Sequence, residues 1–269
     1  MNNSYPKRII CLTEETTETL YSIGAEDLIV GITQFVKRPK RARKEKPVVS
    51  RYTDAKIDKI LELKPDLVIA WSDLQADICA ELIRAGVNVM CFNHRSVAEI
   101  LDFIVQLGAM VGKSKEAIEF ANNIRTKLDK AREIGKNRKQ KPRVYFEEWD
   151  EPIITGITWV SEIIEICGGT DVYSDLSSKF HAKDRILDSP DRVLERDSDI
   201  MLASWCGKKF DKQVVVNRSN WNQLTFVKND EIHELPAEII LQPGPAALTD
   251  GVDMLMKIFD DWEQGNVVK

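Results

Sequence analysis

Two aspartates and a tryptophan recur in the same order in two segments of the chain. The first segment runs from Asp58 to Trp71 and the second from Asp191 to Trp205. Each begins with Asp, passes through a predicted helical turn, reaches a second Asp eight residues later, and ends with an apolar run before Trp. Side chains just beyond the carboxyl end of a strand face the ligand crevice of an α/β fold, so we expect Trp71 and Trp205 to face each other across a cleft. A chance match between common helix-turn-strand sequences is the alternative.

Other aromatic and polar side chains fall in predicted loops or at predicted strand ends. Apolar and aromatic walls with a few polar groups are typical of small-molecule sites. The candidate ligand-binding residues are Thr13, Tyr52, Trp71, Trp149, Trp159, Ser204, Trp205, Lys208 and Trp221. For each aromatic residue the competing interpretation is core packing, and for Thr13 it is capping of the helix that follows.

Composition excludes several classes of protein. The chain has 269 residues, 43% apolar residues and a net charge of −5, which are typical of a soluble globular protein without a general attraction to nucleic acid. No apolar run is long enough to span a bilayer, so no membrane insertion is expected. The five cysteines and three histidines are widely separated and indicate neither a disulfide framework nor a metal site. We expect no cofactor, no bound structural metal and a monomer.

Sequence motifs of common enzyme classes are absent. The chain contains no phosphate loop, no GxGxxG, no GxSxG and no paired-histidine motif, which argues against an enzyme. At the N-terminus, polar residues lead directly into the predicted strand at 8–12, without the apolar segment of a secretion signal. As written, the sequence therefore predicts a cytoplasmic protein or a trimmed chain.

Strands and helices are predicted to alternate along both halves of the chain. Apolar strands such as 67–70 are followed by amphipathic helices that end at glycine, which predicts an α/β fold with mostly parallel sheets flanked by helices. One helix from Ser114 to about Lys136 has no breaker and is expected to join two lobes. Its apolar stripe is Ile118, Ala121, Ile124, Leu128 and Ala131. The predicted organisation is an N-terminal α/β lobe at 1–112, a linking helix at 113–140 and a C-terminal α/β lobe at 141–269.

The strongest local charge bias is the basic run at 37–46. It lacks interleaved aromatic residues, and the whole chain is acidic. We interpret it as a solvated loop; a contact with an anionic ligand or partner at the rim of a site is the alternative.

Two segments carry a resemblance to a known family. Lys64–Trp71, with the sequence KPDLVIAW, and Ser161–Gly169, with the sequence SEIIEICGG, are its most specific parts, and the resemblance extends from Arg8 to about Trp262. The chain resembles the substrate-binding proteins of ABC importers for metal chelates and is most similar to their cobalamin-binding members. The resemblance implies two Rossmann-like lobes with a chelate, cobalamin or a related corrinoid, bound in the cleft between them. It also implies delivery of that ligand to an ABC permease.

The resemblance further implies that two acidic residues dock onto the permease. These residues are usually Glu in the family, and the matching positions here are Asp58 and Asp191. Capping of the helix that each aspartate begins is the competing role. Two other departures are the missing secretion signal, where the family is usually periplasmic or membrane-tethered, and Tyr52 at a position occupied by Trp in cobalamin binders.

Two further functions remain open from the sequence. A cytoplasmic carrier or sensor of corrinoids or tetrapyrroles would need no permease and agrees with the N-terminus. A chelatase-like enzyme using His181, Lys208 or Glu148 ranks below it, because no catalytic motif supports it.

Overall fold

The computed structural model describes residues 5–267, which form two compact units. Unit 1 comprises the chain up to His94 together with Ala98–Ile124 and Gln242–Pro245. Unit 2 comprises Arg95–Val97, Arg125–Leu241 and the chain from Ala246 onward. The division after Ile124 falls inside the predicted linking helix. Two short segments, Arg95–Val97 and Gln242–Pro245, are assigned to a different unit from the residues on either side of them.

Unit 1 is built on a six-stranded sheet. Its strands are β1 (Ile9–Cys11), β2 (Ile29–Thr33), β3 (Val48–Arg51), β4 (Asp54–Ala55), β5 (Leu67–Trp71) and β6 (Val89–Phe92). Their order is β4-β3-β2-β1-β5-β6, and every pairing is parallel except the antiparallel pair of β3 and β4. All residues of β1 and β5 are buried, which explains why these central strands are continuous apolar runs.

Helices alternate with these strands as predicted. They are α1 (Glu14–Ser22), α2 (Ala42–Glu45), α3 (Ile57–Glu62), α4 (Ala76–Arg84), α5 (Val97–Met110) and α6 (Ser114–Lys136). A turn of 3-10 helix at Asp73–Gln75 leads into α4.

Unit 2 has a five-stranded sheet. Its strands are β7 (Arg143–Asp150), β8 (Ile153–Thr155), β9 (Thr170–Asp171), β10 (Ile200–Ala203) and β11 (Ile232–Glu234). The order is β11-β10-β7-β8, with β9 also paired to β7; only the pair of β7 and β8 is antiparallel among the described strands. The prediction of an α/β fold with two mostly parallel sheets is confirmed.

The helices of unit 2 are mostly short. They are α7 (Thr158–Ile166), α8 (Ser174–Ser177), α9 (Arg192–Glu195), α10 (Lys212–Val216), α11 (Thr225–Lys228), α12 (Ala237–Ile240) and α13 (Val252–Val267). A turn of π-helix at Ala247–Gly251 precedes α13.

The long helix α6 confirms the predicted bounds but not the whole predicted stripe. Ala121, Ile124, Leu128 and Ala131 are buried, whereas Ile118 is 46% exposed. Ala117, which is fully buried, takes the place assigned to Ile118. Among the residues that the structure describes, no helix combines the length and the apolar character needed to cross a membrane.

The two similar sequence segments form the same local structure. In unit 1, α3 is followed by β5, and the Asp66 carboxylate accepts hydrogen bonds from the backbone N–H groups of Lys7 (2.7 Å) and Arg8 (2.9 Å) just before β1. In unit 2, α9 is followed by β10, and the Asp199 carboxylate accepts one from the N–H of Arg143 (2.7 Å) at the start of β7. The second aspartate of each copy therefore fixes the amino end of the neighbouring parallel strand.

The arginines of these pairs also have equivalent contacts. The Arg8 guanidinium donates to the carbonyl of Leu63 (2.6 Å), and the Arg143 guanidinium donates to the carbonyl of Asp197 (3.0 Å). Both acceptors lie between the helix and the strand of their copy. This agreement in hydrogen bonds favours a true internal repeat over a chance match.

The basic run at 37–46 is not simply a solvated loop, because its second half contains α2. The Arg41 guanidinium lies 4.7 Å from the centre of the Tyr21 ring and pairs with Glu26 (2.8 Å) and Glu45 (3.3 Å). The Tyr21 hydroxyl donates to Glu45 (2.7 Å). The run is thus partly attached to the rest of unit 1, and a contact with an anionic ligand stays a prediction.

Two glycines allow α6 to approach the end of α7 closely. A Cβ atom at Gly135 would lie 2.6 Å from the Gly168 nitrogen and 2.7 Å from the carbonyl carbon of Cys167. Gly168 has φ +91°, the left-handed conformation of a helix C-cap, and confirms the predicted glycine cap of this helix. The contact has no room for a side chain.

We expect Gly135→Ala to lower the free energy of unfolding by about 1–3 kcal/mol, because the added methyl group would overlap backbone atoms that cannot rotate away. Urea unfolding followed by circular dichroism measures the change. Gly265→Ala is the control, since a Cβ atom there meets no atom of the described residues within 4 Å. Equal stability of the two variants would contradict the assigned contact.

Candidate functional site

The carboxyl edge of the sheet in unit 1 is organised by one buried glutamine. The Gln75 side chain accepts a hydrogen bond from the Trp71 N–H (3.0 Å) and donates to the carbonyls of Leu12 (3.2 Å) and Tyr52 (2.8 Å). It is fully buried. A single amide therefore holds together the chain segments that leave β5, β1 and β3, and positions the predicted ligand residues Thr13, Tyr52 and Trp71.

Trp71 is largely buried and does not present an exposed ring surface. The residue is 7% exposed, and its indole N–H donates to the carbonyl of His94 (3.0 Å). Tyr52 is half-buried. Ligand contact by either ring stays a prediction.

A buried carboxyl group lies in the first turn of α1, the helix that follows β1. Glu15 is 1% exposed and accepts a hydrogen bond from the Thr13 hydroxyl, which also lies 3.1 Å from the Thr16 hydroxyl. Burial raises the pKa of Glu15 to about 7, and the Thr13 hydrogen bond opposes that shift. Thr13 occupies the N-cap position of α1 but its side chain makes no capping hydrogen bond, so its hydroxyl serves Glu15 instead.

In unit 2 a second buried carboxylate, Glu147, lies on β7. It accepts hydrogen bonds from the Tyr145 hydroxyl (2.7 Å) and the Trp205 indole N–H (3.0 Å). It also forms an ion pair with Arg218, whose two terminal nitrogens donate to the two carboxylate oxygens (2.6 and 2.9 Å). Burial, followed by the nearby Glu147 charge, raises the pKa of Tyr145 well above its usual value. The ion pair and its hydrogen bonds compensate for the desolvation of Glu147.

Trp149, Trp205 and Lys208 come together at the carboxyl edge of this sheet. The Lys208 ammonium lies 5.0 Å from the Trp205 ring centre and 5.8 Å from that of Trp149, and it pairs with Asp150. Lys208 is exposed and Trp149 is half-buried, whereas Trp205 is 3% exposed. We call Trp149, Asp150, Trp205 and Lys208 the indole–lysine cluster.

Three other predicted ligand residues of unit 2 are buried. Trp159 lies within α7, is 2% exposed and donates its indole N–H to the carbonyl of Ile240 (2.8 Å). Trp221 is fully buried in the core of unit 2, beside Phe226. Both rings fill the interior, and this corrects their assignment as ligand walls. Ser204 is 1% exposed, and its hydroxyl has no hydrogen-bond partner among the residues described.

No metal centre is evident in the described part of the chain. Between residues 5 and 267, no three His, Cys, Asp or Glu side chains are grouped closely enough to hold a metal ion. Of the residues considered for a chelatase, Glu148 pairs with the buried Arg185 (2.6 Å). His181 is exposed and packs against Phe180, with ring centres 4.8 Å apart.

Comparison with known proteins identifies the family. The model of a family described as periplasmic binding protein matches residues 9–239. The chain belongs to the periplasmic binding protein family.

Similar proteins include the vitamin B12-binding protein of Vibrio parahaemolyticus, 27% identical over 252 residues, which cover 92% of this chain and 88% of the relative. An ABC transporter substrate-binding lipoprotein of Bacillus subtilis is 26% identical, with 93% and 79% covered. The crystal structure of the periplasmic vitamin B12-binding protein of Vibrio cholerae has a TM-score of 0.76 and 26% identity, covering 96% of this chain and 98% of that one. The haem complex of IsdE from S. aureus has a TM-score of 0.80 and 18% identity, with 94% and 98% covered, and supports the fold alone.

In this periplasmic binding protein, the two aspartates predicted to dock onto a permease are exposed. Asp58 lies in the first turn of α3, where Lys56 is the N-cap, and Asp191 is the N-cap of α9. Neither cap position makes a side-chain capping hydrogen bond within the described residues. Capping therefore does not explain these carboxylates, and docking stays a prediction.

Sequence reasoning missed four polar residues that organise the edges of the two sheets. They are Glu15 and Gln75 in unit 1 and Glu147 and Arg218 in unit 2. The available signal was a polar residue four positions after the end of a buried strand, as for Glu15 and Gln75, or inside a strand, as for Glu147.

The pKa of Glu15 predicts a pH dependence of stability. Because the folded chain binds this proton more tightly than the unfolded chain, the contribution of Glu15 to stability should be complete below about pH 4.5, fall as pH rises towards 7, and then level off. Glu15→Gln removes the titration, so its stability relative to the unchanged chain should increase between pH 5 and pH 8, by up to about 3 kcal/mol.

Urea unfolding at both pH values measures this difference. Glu119→Gln removes a carboxylate at an exposed position and serves as the matched control. Parallel pH profiles for Glu15→Gln and the unchanged chain would contradict the buried carboxyl group.

Proposed function

We propose that this chain binds a metal chelate of the corrin class, cobalamin or a related corrinoid, and delivers it to an ABC permease. The observation that carries the proposal is the indole–lysine cluster at the carboxyl edge of the sheet in unit 2, in a chain that belongs to a family of binding proteins. Relatives at 26–27% identity are vitamin B12-binding proteins, which supports the choice of ligand.

The chemistry of the cluster fits a corrinoid. A corrin is a broad, mostly apolar ring with amide groups at its edge, so it needs an apolar or aromatic surface and a few polar partners. Trp149 offers a half-buried ring, and aromatic contacts contribute about 0.5–1.5 kcal/mol beyond area burial. The Lys208 ammonium is exposed beside it and can donate to an edge amide while it remains paired with Asp150.

Unit 1 contains a second set of candidate ligand-binding residues, which the hydrogen bonds of Gln75 hold in place. Thr13, Tyr52 and Trp71 are the ligand candidates of unit 1, because they lie at or just beyond the carboxyl ends of strands of its sheet. Tyr52 keeps the exposed surface that a ligand contact requires. We infer binding rather than catalysis, since Glu15 and Glu147 are enclosed and hydrogen-bonded inside the protein.

Titration with a panel of chelates tests the ligand. We expect cyanocobalamin to bind in a one-to-one complex, measured by calorimetry and by the shift of its visible absorbance. Haem and a ferric siderophore should bind more weakly. Stoichiometric binding of haem with no response to the corrinoid would reject the corrin class and leave a tetrapyrrole carrier.

The cluster itself is tested with adjacent lysines. Lys208→Ala should weaken corrinoid binding about fivefold, which corresponds to about 1 kcal/mol for one lost hydrogen bond. Lys209→Ala removes a neighbouring exposed lysine and should leave the affinity unchanged. An equal effect of the two substitutions would exclude a specific contact by Lys208.

The paired aspartates supply the proposed contact with the permease. Exchanging Asp58 and Asp191 for lysine should reduce ligand-dependent ATP hydrolysis by the organism's reconstituted ABC permease at least about tenfold, because two attractive charges become repulsive. Corrinoid affinity should not change. The exposed pair Asp102 and Asp261, exchanged in the same way, controls for the change in net charge. Loss of corrinoid affinity in the Asp58 and Asp191 variant would reject the docking assignment.

A further inference from the structure

Two cysteines of unit 1 lie on adjacent elements. Cys79 is in the second turn of α4, and Cys91 is on β6, the edge strand of the sheet. Both are free thiols. Cys79 is 7% exposed, whereas Cys91 is exposed. The pair therefore has one buried thiol, that of Cys79, and one solvent-exposed thiol, that of Cys91.

The strand register directs Cys91 towards the helix. Val68 and Ala70 of β5 pack in one core cluster with Cys79 of α4, so α4 covers that face of the sheet. In the parallel pairing of β5 and β6, Cys91 is the partner of Ala70 and Val89 is the partner of Val68. Partners in register share a face, and Val89 does pack against the same cluster. Cys91 consequently lies on the face that α4 covers.

The two thiols lie on the same face of the sheet and differ in chemistry. As a thiol, Cys91 donates to the carbonyls of Ser72 (3.6 Å) and Phe92 (3.8 Å). As a thiolate it would accept a hydrogen bond from the Cys79 thiol, which lowers the pKa of Cys91 to about 7 despite partial burial. The same hydrogen bond, together with burial, raises the pKa of Cys79. Since the thiolate is the nucleophile in exchange with a disulfide, Cys91 is the thiol that attacks first.

We propose that Cys79 and Cys91 form a redox-active thiol pair, which a low-molecular-weight disulfide such as oxidised glutathione converts into an intramolecular disulfide. The pair is a modification site on the face of the sheet that α4 covers. It does not depend on which chelate the chain binds.

The reaction proceeds through a mixed disulfide. The Cys91 thiolate attacks one sulfur of oxidised glutathione, forms a new S–S bond and releases one glutathione thiolate. The Cys79 thiol loses its proton and attacks the Cys91 sulfur, which expels the second glutathione thiolate. The two cysteines lose two electrons, one disulfide is reduced to two thiols, and the two protons end on the released glutathione molecules.

Mass spectrometry of the whole chain tests the proposal. The reduced protein is incubated with oxidised glutathione at neutral pH, remaining thiols are blocked with N-ethylmaleimide, and the chain is digested with trypsin. Cleavage after Arg84 separates the two cysteines, so the intramolecular disulfide holds two peptides together until it is reduced. We expect the digest to contain this linked pair of peptides. Before digestion, the mass of the intact protein should show the loss of two hydrogens and no retained glutathione.

Single variants assign the role of each thiol. Cys79→Ala should retain one glutathione on Cys91, because the resolving thiol is missing. Cys91→Ser should lower the rate of reaction at least about tenfold, since the exposed low-pKa thiol is lost. Cys206→Ser removes the other exposed cysteine and should react like the unchanged chain.

Three outcomes would overturn the proposal. They are glutathione retained on Cys91 of the unchanged chain, a link that joins another pair of cysteines, and a Cys91→Ser variant that reacts at the unchanged rate. The first outcome is read from the native sequence alone, so it does not depend on how well any variant folds. A positive result should also raise the midpoint of thermal unfolding, because the link constrains the unfolded chain.

Discussion

The parallel pairing of the first strand of each unit with the strand of the repeated segment sets the geometry of everything else. In unit 1 β1 pairs with β5, and in unit 2 β7 pairs with β10. Asp66 and Asp199 fix the amino ends of these pairs through backbone hydrogen bonds. Since the amino ends are held in register, the carboxyl ends of the paired strands reach the same edge of the sheet, where the polar and aromatic residues of each unit collect.

The two units solve the problem of a buried carboxyl group in different ways. Glu15 is sheltered by threonine hydroxyls, and its raised pKa favours the neutral form. Glu147 instead accepts hydrogen bonds from the side chains of Arg218, Tyr145 and Trp205. The first arrangement makes stability depend on protonation, whereas the second depends on a cation whose removal would leave a charge in the core. The repeat therefore preserves the backbone plan and not the chemistry at the strand ends.

Local patterns in the sequence were sufficient for the architecture, because the central strands are apolar runs and α6 has an uninterrupted amphipathic period. The same patterns placed Trp71 and Trp205 at strand ends. They did not predict that Trp159 is buried, since its indole bonds to Ile240, 81 residues away. Gln75 was missed for the same reason, because its acceptors at Leu12 and Tyr52 are 63 and 23 residues distant. Periodicity reports which face of an element is apolar, but not which distant element covers it.

Unit 1 is not contiguous in the chain, because it includes Gln242–Pro245. The Pro243 carbonyl lies 2.7 Å from a ring nitrogen of His94, and a Cβ atom at Gly244 would lie 2.4 Å from that of Glu15. During synthesis on the ribosome, nearly the whole polypeptide must emerge before this segment can reach its place. Until then the Glu15 carboxyl group lacks part of its cover, so a nascent chain that stops before residue 242 cannot complete the surroundings of either Glu15 or His94.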